Sequence, residues 1–349
     1  MTFLKTVSTN WSMNFGGVMN LSHMGLDQLF VSLALSVYIV AALAFFAYFL
    51  AGEQWLKNFA IPLSCIGVVC QFGELVSRYF LTHVWPLTNL YGSLSLFSAM
   101  SVAIFVVFAF RYDLWFAGGF ILALAATLLA YALSWNEGTL PAVPSLQSYW
   151  IKIHVPLVVS SYAAFLVAFV FALLYLLKYY AERTFAERGL APAAAGAMQA
   201  GGPALTQSRV YQNDYGVRIA AVRQDTPGIT AAAESGHLGA LWLNTLPSLA
   251  KLDVLIYRII AIGLPLLTVG IITGAWWAKE AWGAYWQWDP KETAALFSWI
   301  VYAIYMHLHT RGAWRGMRSA WVSVYGFASI MFCYLGVNIW ISGLHSYKM

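Results

Sequence analysis

The sequence predicts an all-α, polytopic membrane fold of about eight transmembrane helices with both termini outside, and three observations predict it. Only 9% of the 349 residues are charged and 61% are hydrophobic, whereas an ordinary soluble domain carries about 25% charged residues. The apolar residues fall into runs long enough to cross a bilayer core, which takes about 20 residues in a helix. Lys and Arg gather in short clusters between those runs, the pattern that orients membrane proteins. The formal charge of +5 therefore points to topology and not to nucleic acid, and the lipid bilayer is the partner that composition requires.

The predicted spans, in chain order, begin with Leu29 to Leu50 and Phe59 to Leu81. Glu74 and Arg78 interrupt the second, and their i, i+4 spacing lets them pair with each other. Leu94 to Phe110, Leu114 to Leu133 and Ile151 to Leu177 follow. The last three are Val254 to Trp277, Glu292 to Leu308 and Ala320 to Ser342. With both termini outside, the inner loops hold Lys57, Arg111, the basic residues between Lys178 and Lys251, and Arg311, Arg315 and Arg318. The outer side keeps Lys5, Arg78, Lys152, Lys279, Lys291 and Lys348, so basic residues favour that orientation.

This divides the chain into an outer segment 1–28, helices one to five over 29–181, an insert 182–250, and helices six to eight over 251–349. The insert is Ala/Gly/Pro-rich, as in Gly201-Gly202-Pro203, and reads as a flexible cytoplasmic connection. The first 28 residues lack a long apolar stretch with a small-residue cleavage site, so no removed signal peptide is expected. Cys65, Cys70 and Cys333 all lie in apolar runs, with no CxxC pair and no CxxCH, which argues against a thiol redox protein and against a c-type cytochrome.

The outer loop between helices six and seven, 282–292, contains Trp282, Gly283, Tyr285, Trp286, Trp288 and Asp289, closed by Pro290-Lys291-Glu292. Tryptophan at a membrane edge is ordinary, and an interfacial belt accounts for Trp276 and Trp277. The denser set from Trp282 onward exceeds what a belt needs, and planar indoles around a small residue make a floor for a large flat ligand. Asp289 is placed as N-cap and Pro290 in the first turn of helix seven.

Topology decides which histidines can meet. His154 opens helix five on the outer side; two crossings later comes the tryptophan loop, and two more bring His345. Two histidines flanking an aromatic platform suit the axial positions of a haem iron. His307 lies about 15 residues past Glu292, roughly 22 Å down helix seven, where an ionisable side chain is a functional candidate. His309 is about 200° further round the helix, so at most one of the two is an intramembrane ligand.

The run Trp282-Gly283-x-Tyr285-Trp286-x-Trp288-Asp289-Pro290-Lys291-Glu292 resembles the WWD signature of haem-handling proteins. It is most similar to the CcsA (ResC) type, also called CcsB, of the system II cytochrome c biogenesis pathway. Supporting segments are His154-Val155-Pro156, Tyr302 to His307, Tyr334 to Asn338, Ser342 to Tyr347, and His83 to Tyr91, which is like the family's first outer loop. Departures are Ala294, near a position that often carries tryptophan, and Gly92, where glutamate is common.

The resemblance implies that His154 and His345 ligate an external haem b, that Trp282 to Asp289 binds it, and that His307, with His309 as alternate, is the intramembrane ligand. It also implies a bacterial inner-membrane protein with its haem site facing the periplasm. The expected activity is holding haem for thioether attachment to the CxxCH of apocytochrome c, as part of a synthase with a ResB/CcsB-type membrane partner. A haem exporter or chaperone without a catalytic role is the alternative. A secondary transporter would show discontinuous helices and several buried carboxylates, for which Glu74 is the clear candidate.

Overall fold

The computed structural model describes residues 25–136, 144–187, 210–212, 218–220, 245–312 and 314–341. Five helices form the first half: α1 (Leu26–Ala51), α2 (Gln54–Thr82), α3 (Leu90–Tyr112), α4 (Gly118–Leu133) and α5 (Ile151–Glu187). Three more follow: α6 (Leu249–Trp282), α7 (Pro290–Thr310) and α8 (Met317–Trp340), the last containing a π-turn at Phe332–Gly336. A short antiparallel ribbon, β1 (Val210–Gln212) with β2 (Arg218–Ala220), lies within the insert, so helix is not the sole secondary structure there.

Seven of the eight helices are long and apolar enough to cross a membrane. The exception is α7, whose first turn holds Lys291 and Glu292 and whose last holds His307, His309 and Thr310. Its 21 residues nonetheless rise about 31 Å, the thickness of a bilayer core. Tertiary bonds fix how it runs. At its start, Lys291 Nζ donates to Asn338 Oδ1 near the end of α8, at 2.8 Å. At its finish, His309 Nε2 lies 3.0 Å from Asp253 Oδ2 near the start of α6. Helix α7 therefore traverses the whole bundle, as the eight-span reading requires.

The remaining helices alternate in the same way. Ser148, just before α5, donates to Glu280 near the end of α6 at 2.8 Å, and Lys178 Nζ near the other end of α5 donates to the Leu246 carbonyl at 2.9 Å. Asp27 at the start of α1 meets Arg78 late in α2 at 3.9 Å. Ser93 in α3 bonds Tyr334 in α8 at 2.8 Å. The first described helix thus starts, and the last one ends, at the end of the bundle that carries the tryptophan loop.

The α5–α6 pair is closely packed, and the sequence explains why. Gly263, Gly270 and Gly274 share one face of α6, where a Cβ would meet Phe165 at 2.8 Å, Val158 at 2.6 Å and His154 at 2.7 Å. In lipid, helices gain little from hydrophobic burial against each other and depend on close backbone approach at small residues. Aromatic stacking joins α5 to α7 and α8: Phe165 on Tyr302 with centroids 3.7 Å apart, and Phe169 on Phe327 at 4.6 Å.

Glu74 and Arg78 do not pair directly. The fully buried Glu74 carboxylate accepts from Tyr91 at 3.0 Å and Ser95 at 2.8 Å. Arg78 instead meets Asp27, donates to Asn136 Oδ1 at 3.1 Å, and lies 4.3 Å above the Tyr91 ring. Two neighbouring helices offered better-placed partners than the next turn of the same helix. Nearby, Gly92 has no room for a side chain, since a Cβ would run into the Pro86 carbonyl oxygen.

Candidate functional site

His154 sits in the first turns of α5, opposite the glycine face of α6. Its Nδ1 is 2.7 Å from the Gly270 carbonyl oxygen. A carbonyl only accepts, so Nδ1 carries the proton and, in the neutral ring, Nε2 keeps a bare lone pair. Gly274 makes this position possible, because any larger residue would strike the ring. Imidazole orientation and tautomer are thus both set by α6.

The ring faces a cavity of about 920 Å³, open mouth included, bounded by α5, α6, α7, α8 and the tryptophan loop. Its walls are mostly apolar and aromatic, with Tyr162, Tyr334, Ser93, Cys333, Lys291 and Glu292 supplying polar groups. Trp277, read above as an interfacial belt residue, is part of the site: it lines the cavity and lies 5.8 Å from His154, 30° from coplanar. Its Nε1 donates to the Ser145 carbonyl at 2.8 Å. Trp276 does match the belt reading, being 44% exposed and packed on Trp150.

The loop residues divide into distinct environments. Tyr285 and Trp286 line the cavity. Trp282 packs on Trp277 with centroids 4.9 Å apart. Gly283 ends α6 in the left-handed region, φ 83°, where glycine carries no steric penalty. Trp288 is 68% exposed and stands edge-on to Trp286 at 5.7 Å.

Trp288 also has φ 56°, a conformation that costs a non-glycine residue about 1–3 kcal/mol. Glu292 offsets it by gripping both sides: its Oε2 accepts from the Gln287 amide at 2.8 Å and the Asp289 amide at 3.2 Å. Asp289, buried, accepts from the Lys291 amide at 3.0 Å and, completing the capping box, from the Glu292 amide. The Asp-Pro-Lys-Glu segment is therefore the clamp that shapes the tryptophan loop.

The opposite wall comes from the π-turn in α8, a feature frequent at functional sites. It turns Cys333 and Tyr334 to the cavity. Tyr334 bonds Ser93, and Cys333 lies 3.7 Å from both the Tyr162 hydroxyl and the Lys291 carbonyl oxygen.

His307 and His309 occupy opposite sides of α7, as 3.6 residues per turn dictates. His307 is exposed on the bundle surface. His309 is 5% exposed, bonded to Asp253, and lies between Tyr257 at 4.6 Å and Tyr305 at 5.7 Å. Asp253 Oδ1 further accepts from the Gly316 amide at 3.0 Å and Ser319 Oγ at 2.8 Å. Sequence reading missed Asp253, which looks like one more charge near a basic helix end. His345 lies outside the described residues, so its relation to His154 is not drawn from geometry.

Fold and cavity together define a multi-pass membrane protein with a mostly apolar, aromatic-walled cavity at one end of its bundle and one oriented imidazole in the wall. The chain belongs to the Cytochrome C assembly protein family, whose model matches residues 87–345, and so has a role in cytochrome c maturation. It is 32% identical over 316 residues to "Cytochrome c biogenesis protein CcsA" of Heterosigma akashiwo (strain NIES-293 / 8280G21-1), covering 89% of this chain and 92% of that one. The protein of the same name from Synechocystis sp. (strain ATCC 27184 / PCC 6803 / Kazusa) is 32% identical over 338 residues, 89% of this chain and 95% of that one. That of Picosynechococcus sp. (strain ATCC 27264 / PCC 7002 / PR-6) is 35% identical over 297 residues, 81% and 85% respectively. Among solved structures, "Cytochrome c Heme Lyase CcmF" shares the fold with a TM-score of 0.54 at 18% identity. That likeness spans 88% of this chain and 46% of the lyase.

Proposed function

We propose that the chain holds haem b at its tryptophan-loop end for covalent attachment to apocytochrome c, within a system II synthase that also contains a ResB/CcsB-type subunit. The observation carrying this reading is the His154 imidazole, its Nδ1 tied to Gly270 and its Nε2 left for iron beside a cavity walled by Trp277, Tyr285 and Trp286. Flat aromatic walls and a neutral imidazole donor both fit an iron porphyrin.

Bound haem supplies the two vinyl groups that become thioether links to the cysteine thiols of a CxxCH segment. The chain's own part is positioning. His154 would hold the iron through its Nε2, and His345 is the second histidine that would ligate it. Trp286 and Tyr285 orient the ring, and the exposed Trp288 lies where a substrate peptide would approach. The capping box holds these side chains in place. Tyr162, Trp277 and the apolar wall of α6 restrict water access and thereby oxidation.

His307 is the intramembrane ligand in this reading, because His309 is committed to Asp253. Its exposure on α7 suits a second ligand from the partner subunit. The family relation supports placing the protein in a bacterial inner membrane with the tryptophan loop facing the periplasm, and the clusters at Arg311–Arg318 support the same orientation.

The test is to purify the chain with its partner as wild type, His154→Ala and His345→Ala, and to record optical and pyridine-haem spectra. Loss of histidine ligation in both variants, restored by added imidazole, is the expected result. Unchanged ligation in both would overturn the assignment. Reconstitution with apocytochrome c then separates attachment from simple haem carriage.

A further inference from the structure

At the end of the bundle opposite the tryptophan loop, three cations converge on one tyrosine. Arg111, in the last turn of α3, lies 5.2 Å from the centre of the Tyr112 ring, and Arg258 of α6 lies 5.3 Å from it. Lys251, two turns before Arg258 on the same face of α6, directs its Nζ at the Tyr112 carbonyl oxygen at 3.5 Å. All three cations are exposed. Among the described residues, no carboxylate forms an ion pair with any of them. The neighbouring Asp113 reaches Lys57 at 4.0 Å, and Asp253 is taken by His309, Gly316 and Ser319.

Depth gives this cluster its meaning. Helix α6 has 34 residues, which rise about 51 Å, well beyond the roughly 30 Å of a bilayer core. Counting about 20 residues back from Trp276, at the other edge of the core, reaches the turn that holds Arg258. The cluster thus stands where acyl chains give way to headgroups. One turn deeper than Arg111 and Arg258, Val107 and Ile262 are exposed and apolar. Helices α3 and α6 both pack on α5 but scarcely touch each other.

We propose that Arg111, Arg258 and Lys251 form a binding site for the phosphate of an anionic phospholipid, whose acyl chains run along Val107 and Ile262. Like charges gathered round one ring at a membrane edge repel each other. A phosphodiester supplies the opposite charge and two acceptor oxygens that match guanidinium donors. A zwitterionic lipid has the same phosphate but brings its own cation, so the site selects against it. Bound there, the anionic lipid clips α3 to α6, the helix whose Gly270 carbonyl aims His154. The site is independent of the haem reading and holds or fails without it.

The experiment titrates phosphatidylglycerol and phosphatidylcholine into the delipidated full chain in detergent and counts bound lipids by native mass spectrometry. Wild type should hold phosphatidylglycerol more tightly by at least about tenfold, given what each interfacial cation contributes. Arg111→Gln combined with Arg258→Gln should abolish the preference, and the paired Lys substitutions should retain most of it. Arg311→Gln combined with Arg318→Gln removes the same charge from the same end of the bundle and should leave the preference as it is. If the first pair does not fold, Arg258→Gln alone, expected to lose about fivefold, carries the test. Full preference in the first pair, or an equal loss in the control pair, overturns the site. Soluble glycerophosphoglycerol competing as well as the lipid overturns the lipid assignment in favour of a free phosphate ester.

Discussion

His309 Nε2 and Asp253 Oδ2 meet at 3.0 Å and lock the end of α7 to the start of α6 at the face of the bundle opposite the tryptophan loop. The same carboxylate gathers the Gly316 amide and Ser319, so one side chain fastens α6, α7 and α8 together. Breaking a buried pair from one side leaves the other group without compensation and costs about 3–5 kcal/mol. Asp253→Ala should therefore lower the thermal unfolding temperature in detergent sharply. His309→Ala should lower it too, while the haem spectrum of the surviving protein stays unchanged.

His307→Ala should behave in the opposite way. The residue is exposed on α7, so truncation should alter stability by no more than about 0.5 kcal/mol. Haem held within the membrane, measured in the complex with the partner subunit, should be lost, and added imidazole should restore it. Retention of that haem in His307→Ala together with its loss in a folded His309→Gln would reverse the assignment.

Gly274→Val tests the placement of the His154 ring. Even a Cβ there would sit 2.7 Å from His154 Cε1, and overpacking of this kind costs about 1–3 kcal/mol. If the displaced ring loses its hold on iron, haem affinity should fall roughly tenfold or more. Gly263→Ala, further along the same face, should cost stability by the same mechanism and leave the ligation spectrum as it is.

Asp289→Ala removes one half of the capping box, worth about 1 kcal/mol. Because Glu292 also restrains the amides on either side of Trp288, Glu292→Ala should do more damage to the loop. The expected outcome is a modest loss of stability in both, with faster haem release from Glu292→Ala in a stopped-flow transfer assay. Equal release rates for Glu292→Ala and wild type would count against the clamp.

Most of the eight-helix layout was legible because seven of the spans carry their own signal in apolar length, α7 being the exception. The start of α7 was equally local, since Asp289 as N-cap and Pro290 in the first turn specify it within two positions. The opposed faces of His307 and His309 followed from helix geometry alone. What escaped was azimuth. Trp277 has the depth of a belt residue, and only the packing of α6 against α5 turns it onto His154. Asp253 sits among charges at a helix start, and its burial depends on α7 and α8 arriving from more than 50 residues away. Glu74 and Arg78 have ideal spacing for a local pair, yet Tyr91, Ser95 and Asp27 on other helices claim them.

The π-turn at Phe332–Gly336 acts as a phase shifter. The Val337 amide reaches back five residues to the Phe332 carbonyl, so every later position in α8 is rotated by about 100° from where an unbroken α-helix would carry it. That rotation brings Asn338 to Lys291. A one-residue deletion inside the turn would straighten the helix and turn Asn338 away from Lys291, although no side chain touching the cavity had been altered in kind.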